Sequence, residues 1–387
     1  MDNLEKLNIL GQSAIYDICS AACSGRRMEG RQPSGNPSAF GISQSFLSDG
    51  KCVSLFRVLL TNVCENDCLY CVNRASRDTP RVSFSPDELA CLFMEFYRRN
   101  YAQGLFLSSG LGGDRSKTME RMINTAEILR HRYHFTGYIH LKILPGVGDD
   151  FIETAASLAD RISINLEAPS QKRLRRIADQ KAFLEDILKP IEKIHKIIKE
   201  GRGVPSGYTT QFVVGAAGES DQEILKTTGW LYREKGLRRA YFSAFVPIPR
   251  TPLEDERPTS PIREARLYQS DFLFRFYNFD FSELILDEKD NLVLDLDPKL
   301  AWARANPHLF PVEINTAPYA NLLRVPGIGP TSARRIIRAR QKHCFTDEEE
   351  LKRAGLVLSR AKSFITINGK RPWSARWEQL GFSARIS

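Results

Sequence analysis

The chain has 387 residues, 42% of them apolar, and 55 Lys and Arg against 46 Asp and Glu. That composition is ordinary for a globular protein of two or three domains. No apolar run is long enough to span a bilayer, and Met1-Asp2-Asn3-Leu4-Glu5-Lys6 lacks the basic and apolar stretches of a secretory signal. No membrane span is expected, and the cytoplasm is, where thiols stay reduced and clustered cysteines hold metal rather than pair.

Residues 1–50 read as a polar N-terminal segment, with patchy helical periodicity from Leu4 to Ala22 and a Gly/Ser/Pro/Arg-rich loop from Ser24 to Gly50. Residues 51–255 alternate strands and helices. The predicted strands are 53–60, 104–107, 138–144, 161–167, 211–215 and 240–246. The predicted helices are 85–100, 118–133, 150–159, 183–200 and 221–235, the first capped by Ser85 with Pro86 at its first position. Such a succession of βα units gives an α/β fold with a parallel sheet and helices outside. Residues 256–311 read as a Pro-punctuated extension, a helix over 262–279 and an acidic linker over 280–297. Residues 312–387 form a final basic domain.

The first strand runs into Thr61-Asn62-Val63-Cys64-Glu65-Asn66-Asp67-Cys68-Leu69-Tyr70-Cys71-Val72, where Cys64, Cys68 and Cys71 are spaced C-x3-C-x2-C. A loop this short can turn three thiols onto one object. Thiolates select zinc, copper(I) or an iron–sulfur cluster. A cubane takes four cysteines, so three leave one iron open to a ligand. The same spacing admits a zinc knuckle with a fourth ligand from elsewhere, or buried structural thiols. Cys19, Cys23, Cys52, Cys91 and Cys344 lie outside this loop; Cys19 and Cys23, at i and i+4, have the spacing of a metal pair but no further ligand cluster beside them, and read as core or half-buried thiols.

The second motif is Val325-Pro326-Gly327-Ile328-Gly329-Pro330-Thr331-Ser332-Ala333-Arg334-Arg335-Ile336-Ile337-Arg338. Its glycines permit a tight turn, and the helix that follows offers free N–H groups to an anion. Ala333, Ile336 and Ile337 form the apolar side, with Arg334, Arg335 and Arg338 outward. Leu351 to Val357 has the pattern of a degenerate second hairpin. From Val312 to Ser387 there are 14 Lys and Arg against 6 Asp and Glu, whereas the first 311 residues carry 41 against 40. Positive charge confined to one domain is the footprint of a polyanion binder.

The cysteine spacing, with Tyr70 in the aromatic slot, resembles the radical S-adenosylmethionine (SAM) signature. The P-G-I-G turn resembles a helix-hairpin-helix. Together with Leu60-Thr61-Asn62-Val63-Cys64, Tyr97-Arg98-Arg99-Asn100-Tyr101, 104–110 and Leu309-Phe310-Pro311-Val312-Glu313, they make the chain similar to the DNA modification/repair radical SAM protein family. That resemblance implies a partial (β/α)6 TIM-like barrel and a small all-α C-terminal helix-hairpin-helix domain. It implies a 4Fe-4S cluster on Cys64, Cys68 and Cys71, whose open iron chelates SAM and cleaves it reductively to a 5′-deoxyadenosyl radical.

For the remaining site residues the resemblance implies graded roles. Tyr70 packs near the adenine, and Ser108-Ser109-Gly110 stands where relatives receive the SAM amino group, here without an acidic residue. Asn165 and Glu167 face the ribose hydroxyls, and Gly215 admits the adenine. Lys142 binds the SAM carboxylate or a substrate phosphate. Gly327, Gly329, Thr331, Ser332, Arg334, Arg335 and Arg338 hold a nucleic-acid backbone through phosphates, independently of sequence. Ser43-Gln44-Ser45-Phe46 lacks the cysteine–histidine pair expected there. The family's genes tend to lie beside one for a uracil-DNA-glycosylase-like protein, which implies a nucleic-acid substrate, DNA in the leading reading, and that protein as a partner; the radical chemistry implies an electron donor as well. Two other readings stay open: an RNA-modifying enzyme, and a non-catalytic DNA-binding protein with a structural metal.

Overall fold

Leu7 and Leu10, both fully buried, anchor Asn3–Ile15 as helix α1. The computed structural model describes residues 1–15, 41–46 and 52–371. The chain divides into two units, Met1–Ala265 and Arg266–Ser387.

In the first unit, β1 (Ile42–Phe46) runs antiparallel to β2 (Cys52–Leu59), with Ile42 opposite Phe56. This strand corrects the expectation of a continuous loop from Ser24 to Gly50. Its Ile-Ser-Gln-Ser-Phe sequence is too polar and too short to stand out by pattern, and pairing with β2 supplies its order. Cys19 and Cys23 lie outside the described residues, as do the side chains of Gln44 to Phe46.

From β2 onward the sheet is parallel and its strands pair in chain order. They are β2, β3 (Gly104–Ser108), β4 (Tyr138–Lys142), β5 (Arg161–Ser163), β6 (Tyr208–Val214) and β7 (Arg239–Ala244). The crossovers carry α2 (Pro86–Arg98), α3 (Arg115–Glu127), α4 (Asp149–Leu158), the single turn α5 (Gln171–Leu174), α6 (Lys189–Lys199) and α7 (Asp221–Glu234). The result is the six-stranded partial barrel expected, with one extra antiparallel edge strand.

Local chemistry sets these elements. Ser85 and Glu88 close a reciprocal capping box on α2, and Ser220 and Glu223 do the same on α7. Helix α2 buries Leu89, Leu92, Phe93 and Met94 against the sheet, where Phe93 meets Phe56 and Phe135. Two predicted helices include a wider π-type turn, at Ile128–Arg132 and Phe183–Leu188.

The unit boundary falls within α8 (Pro261–Phe276). The second unit holds α9 (Pro298–Ala305), β8 (Val312–Glu313), α10 (Tyr319–Arg324), α11 (Pro330–Arg340), α12 (Glu348–Arg353), α13 (Leu358–Ala361) and β9 (Ile365–Thr366). Strands β8 and β9 pair in parallel and bracket α10 to α13, an addition to the helices that the sequence does not reveal. Leu322, Val325, Ile328, Ala333, Ile336, Phe345 and Leu351 form its core.

Two hairpins share this core. In the first, α10 turns into α11 through Gly327, at φ +85°. In the second, α12 turns into α13 through Gly355, at φ +90°. Each glycine is followed by a buried apolar residue, Ile328 and Leu356. The expected degenerate second hairpin is therefore present.

Candidate functional site

The cysteine loop leaves β2 at Leu60 and is stitched to its surroundings before any thiol is considered. Leu60 N–H donates to the Ser108 carbonyl at 2.9 Å, and Gly110 N–H to the Thr61 carbonyl at 2.7 Å. Asn62 accepts from Val82 N–H and donates to the Pro80 carbonyl, both at 2.8 Å. Arg81 donates to four carbonyls, those of Asn62, Asn73, Arg74 and Arg77, at 2.5 to 2.9 Å. Asp67 pairs with Arg74 and takes the Ser76 amide and hydroxyl. The Arg74 hydrogen bond holds the Asp67 carboxyl far below the usual carboxylate range.

Cys64, Cys68 and Cys71 line a cavity of 390 Å³ at the mouth of the barrel. Cys68 is buried, while Cys64 and Cys71 are half-buried. Among the described residues no three His, Cys, Asp or Glu side chains converge as they would around a single ion. Burial pushes the Cys68 thiol up, and the Lys181 ammonium pulls it the other way.

Tyr70, Ser108, Ser109, Gly110, Lys142, Asn165 and Glu167 line the same cavity. Ser109 Oγ is buried with no partner among the described residues, a polar atom left for a ligand. Gly110 has a packing reason as well: a Cβ there would sit 2.4 Å from the Val63 carbonyl oxygen. Gly215 is not among the lining residues. Its φ is +94°, its N–H donates to Glu219, and a Cβ would strike Thr259. Gln211 and Val213 represent β6 in the cavity instead.

Glu167 is the hub. Its Oε1 accepts from Lys181 Nζ at 3.2 Å, and its Oε2 lies 3.4 Å from Asn165 Nδ2. Burial, then the Glu167 carboxylate, pushes the Tyr70 phenol well above its ordinary value. Glu167 holds φ +64°, which for a non-glycine residue costs about 1–3 kcal/mol. Its N–H donates to the Gln211 carbonyl at 2.9 Å and its carbonyl accepts from Val213 N–H at 2.8 Å, so β6 clamps it on both sides.

Sequence reasoning does not single out Lys181. It is buried, and burial alone would lower its pKa. The Cys68 and Glu167 charges outweigh that and raise it. Arg81 escapes notice too; a lone arginine ten residues beyond the last cysteine carries no local pattern.

In the second unit, Thr331, Arg334 and Arg335 are exposed in the first half of α11, and Arg338 is exposed in its last turn. Ser332 is buried and donates its hydroxyl to the Gly355 carbonyl at 2.6 Å. Gly327 has no room for a side chain, since a Cβ would lie 2.5 Å from the Val357 carbonyl oxygen. Gly329 is looser. A Cβ there would lie 3.3 Å from the Tyr277 hydroxyl, and its φ is an unstrained −101°. Lys299, buried beside the turn, donates to the Ile328 carbonyl at 2.6 Å and lies 4.6 Å from the Tyr277 ring centroid.

Residues 58–231 match the Radical SAM superfamily and residues 310–355 match the helix-hairpin-helix motif. No curated protein matches the chain. Among solved structures, the chain is similar to the FeFe-hydrogenase maturase HydG from Carboxydothermus hydrogenoformans. The identity is 15%, over 57% of this chain and 50% of that one, with a TM-score of 0.46. Methylornithine synthase (PylB) is 13% identical over 57% of this chain and 62% of its own, TM-score 0.46. A radical SAM methyltransferase from Sphaerobacter thermophilus is 14% identical over 59% and 69%, TM-score 0.44. The chain thus spans about half the length of the HydG chain.

Three thiolates on one cavity wall are a soft donor set that fits a 4Fe-4S cluster with one open iron. Residues 58–231 are thus a radical SAM domain, of a superfamily that uses a 4Fe-4S cluster and SAM, and residues 310–355 carry a helix-hairpin-helix motif.

Proposed function

We propose that the enzyme acts on DNA, repairing or modifying a nucleotide. The observation that carries this is the pairing, in one chain, of a radical SAM domain with a C-terminal region, residues 312–387, that contains a helix-hairpin-helix and holds nearly all the excess positive charge. The exposed Arg334, Arg335 and Arg338, with the first turn of α11, take backbone phosphates without reading bases. A target nucleotide is extruded, or already unpaired, to enter an enclosed cavity.

In the first unit, Cys64, Cys68 and Cys71 hold the cluster. Cluster and SAM together supply hydrogen-abstracting radical chemistry when bound. Glu167, fixed by Lys181 and Asn165, presents a carboxylate to paired hydroxyls such as those of a ribose. The partnerless Ser109 hydroxyl accepts from an ammonium group. Lys142 and Lys181, on the cavity wall, would hold the SAM carboxylate. An electron donor and a uracil-DNA-glycosylase-like protein are the expected partners.

The test is anaerobic reconstitution with iron and sulfide, reduction by dithionite, and assay of 5′-deoxyadenosine with and without duplex DNA. Product that rises with duplex DNA and vanishes in Cys68→Ala supports the reading. Stimulation by tRNA and not by duplex DNA moves the substrate to RNA.

A further inference from the structure

Below the cysteine-lined cavity the barrel holds a second, smaller chamber of 40 Å³. Lys142, Asn165 and Gln211 line both, so this layer of side chains divides them. The register explains its lining. Arg57 on β2 pairs with Phe106 on β3, Phe106 with His140 on β4, and His140 with Arg161 on β5. Direct neighbours in a parallel register share a face, so four strands deliver Arg, Phe, His and Arg to one level.

The aromatic ring organises the row. The Arg57 guanidinium carbon lies 5.0 Å from the Phe106 ring centroid, and His140 meets that ring edge-on at 4.5 Å. Lys142, Tyr138 and Tyr241 add to the polar lining, and none of the lining residues is a carboxylate.

Two of these groups are incomplete. His140 and Arg161 are 7% and 6% exposed, and neither His140 Nε2 nor Arg161 Nε has a partner among the described residues. The hydrogen bond from Arg161 goes to the Ser206 carbonyl at 3.2 Å, a neutral acceptor. A guanidinium out of water needs a compensating anion, and a buried ring nitrogen needs a hydrogen-bonding partner. Burial and the charges of Arg161, Arg57 and Lys142 hold the imidazole well below its ordinary pKa.

From this chamber we infer a built anion site inside the barrel, made by Arg161 and His140 with Arg57 and Lys142, for a phosphate-class oxyanion. Size agrees. A buried water needs roughly 10–15 Å³ of such space, so the chamber holds about three waters or one small tetrahedral anion. A nucleic-acid backbone does not fit there. The ligand is either free phosphate or the terminal phosphate of a small molecule reaching past Lys142. Radical SAM chemistry at the cysteine loop uses none of these four residues as cluster ligands, and the site stands whether or not DNA is the substrate.

Isothermal titration of the full chain with inorganic phosphate, at constant ionic strength set by chloride, tests the proposal. Wild type binds one phosphate per chain; Arg161→Gln and His140→Gln each weaken binding at least tenfold. Circular dichroism verifies that each variant is folded. Should Arg161→Gln fail to fold, His140→Gln and competition by sulfate for the wild-type site give the same reading. A second titration with a deoxynucleoside 5′-monophosphate identifies the source: competition with inorganic phosphate that deepens with SAM removed points to a small-molecule phosphate, and no competition points to the free ion. Binding that persists unchanged in both variants belongs to the hairpin domain and overturns the proposal, as does wild type that does not distinguish phosphate from chloride.

Discussion

The Gly327 carbonyl accepts a hydrogen bond from the Val357 amide at 3.1 Å, joining the turn of the first hairpin to that of the second. Ser332 returns the connection through its hydroxyl to the Gly355 carbonyl. The two glycines of the P-G-I-G turn consequently have different tasks.

Gly327→Ala forces a side chain into the Val357 carbonyl at a positive φ, and we expect a loss of about 1–3 kcal/mol in the stability of the second unit. Gly329→Ala has an ordinary backbone and a movable hydroxyl as its nearest neighbour, so it should unfold within about 1 kcal/mol of wild type yet bind duplex DNA more weakly. Denaturant melts beside a gel-shift assay separate the two. Equal destabilisation by both substitutions would sink the distinction.

Removing one partner of the buried Glu167–Lys181 pair leaves a carboxylate uncompensated. Lys181→Met should cost about 3–5 kcal/mol, and adding Glu167→Gln should restore part of it. Urea unfolding of the two single variants and the double variant measures the coupling. A single-variant loss below about 1 kcal/mol would show that the pair is dispensable to the fold.

Burial, foremost, lowers Lys299 to about 7, against roughly 10.4 for a free lysine. The unfolded chain therefore binds more protons between these values, and the stability of the second unit should rise with pH across that window. The contribution is complete above the unfolded value and lost as pH falls through about 7. Lys299→Met should flatten this slope while costing about 1–3 kcal/mol at high pH, because the Ile328 carbonyl loses its donor. Unfolding midpoints from pH 6 to 10, wild type minus variant, carry the test.

Arg81→Lys keeps the charge and loses the planar fork that reaches four carbonyls. We expect iron content after reconstitution to fall severalfold with the secondary structure intact. Unchanged iron loading would show that the loop closes without this clamp.

Much of this is legible in sequence because it is periodic or local. The strands ending at Leu59, Ser108, Lys142 and Val214 are apolar runs broken by turn residues, and the three cysteines sit within eight positions. Ser109, Asn165 and Glu167 follow from strand ends that open on the barrel mouth. Lys181 is not legible, since it meets Glu167 only after the chain has turned through α5. Nor is the β8–β9 pair, whose two-residue strands are too short to show any period. Gly215 does not reach the cavity as expected for a related reason: a glycine next to a strand end signals a turn or a close approach, and here Thr259 and Glu219 are what approach it.

The cysteine loop draws much of its order from Arg81, Asn62 and Asp67, none of them a thiol. Oxygen that strips an iron–sulfur cluster would accordingly leave the empty cradle standing. Damage to this protein should be a loss of cargo and not of the chain, repairable by refilling the same molecule with iron and sulfide.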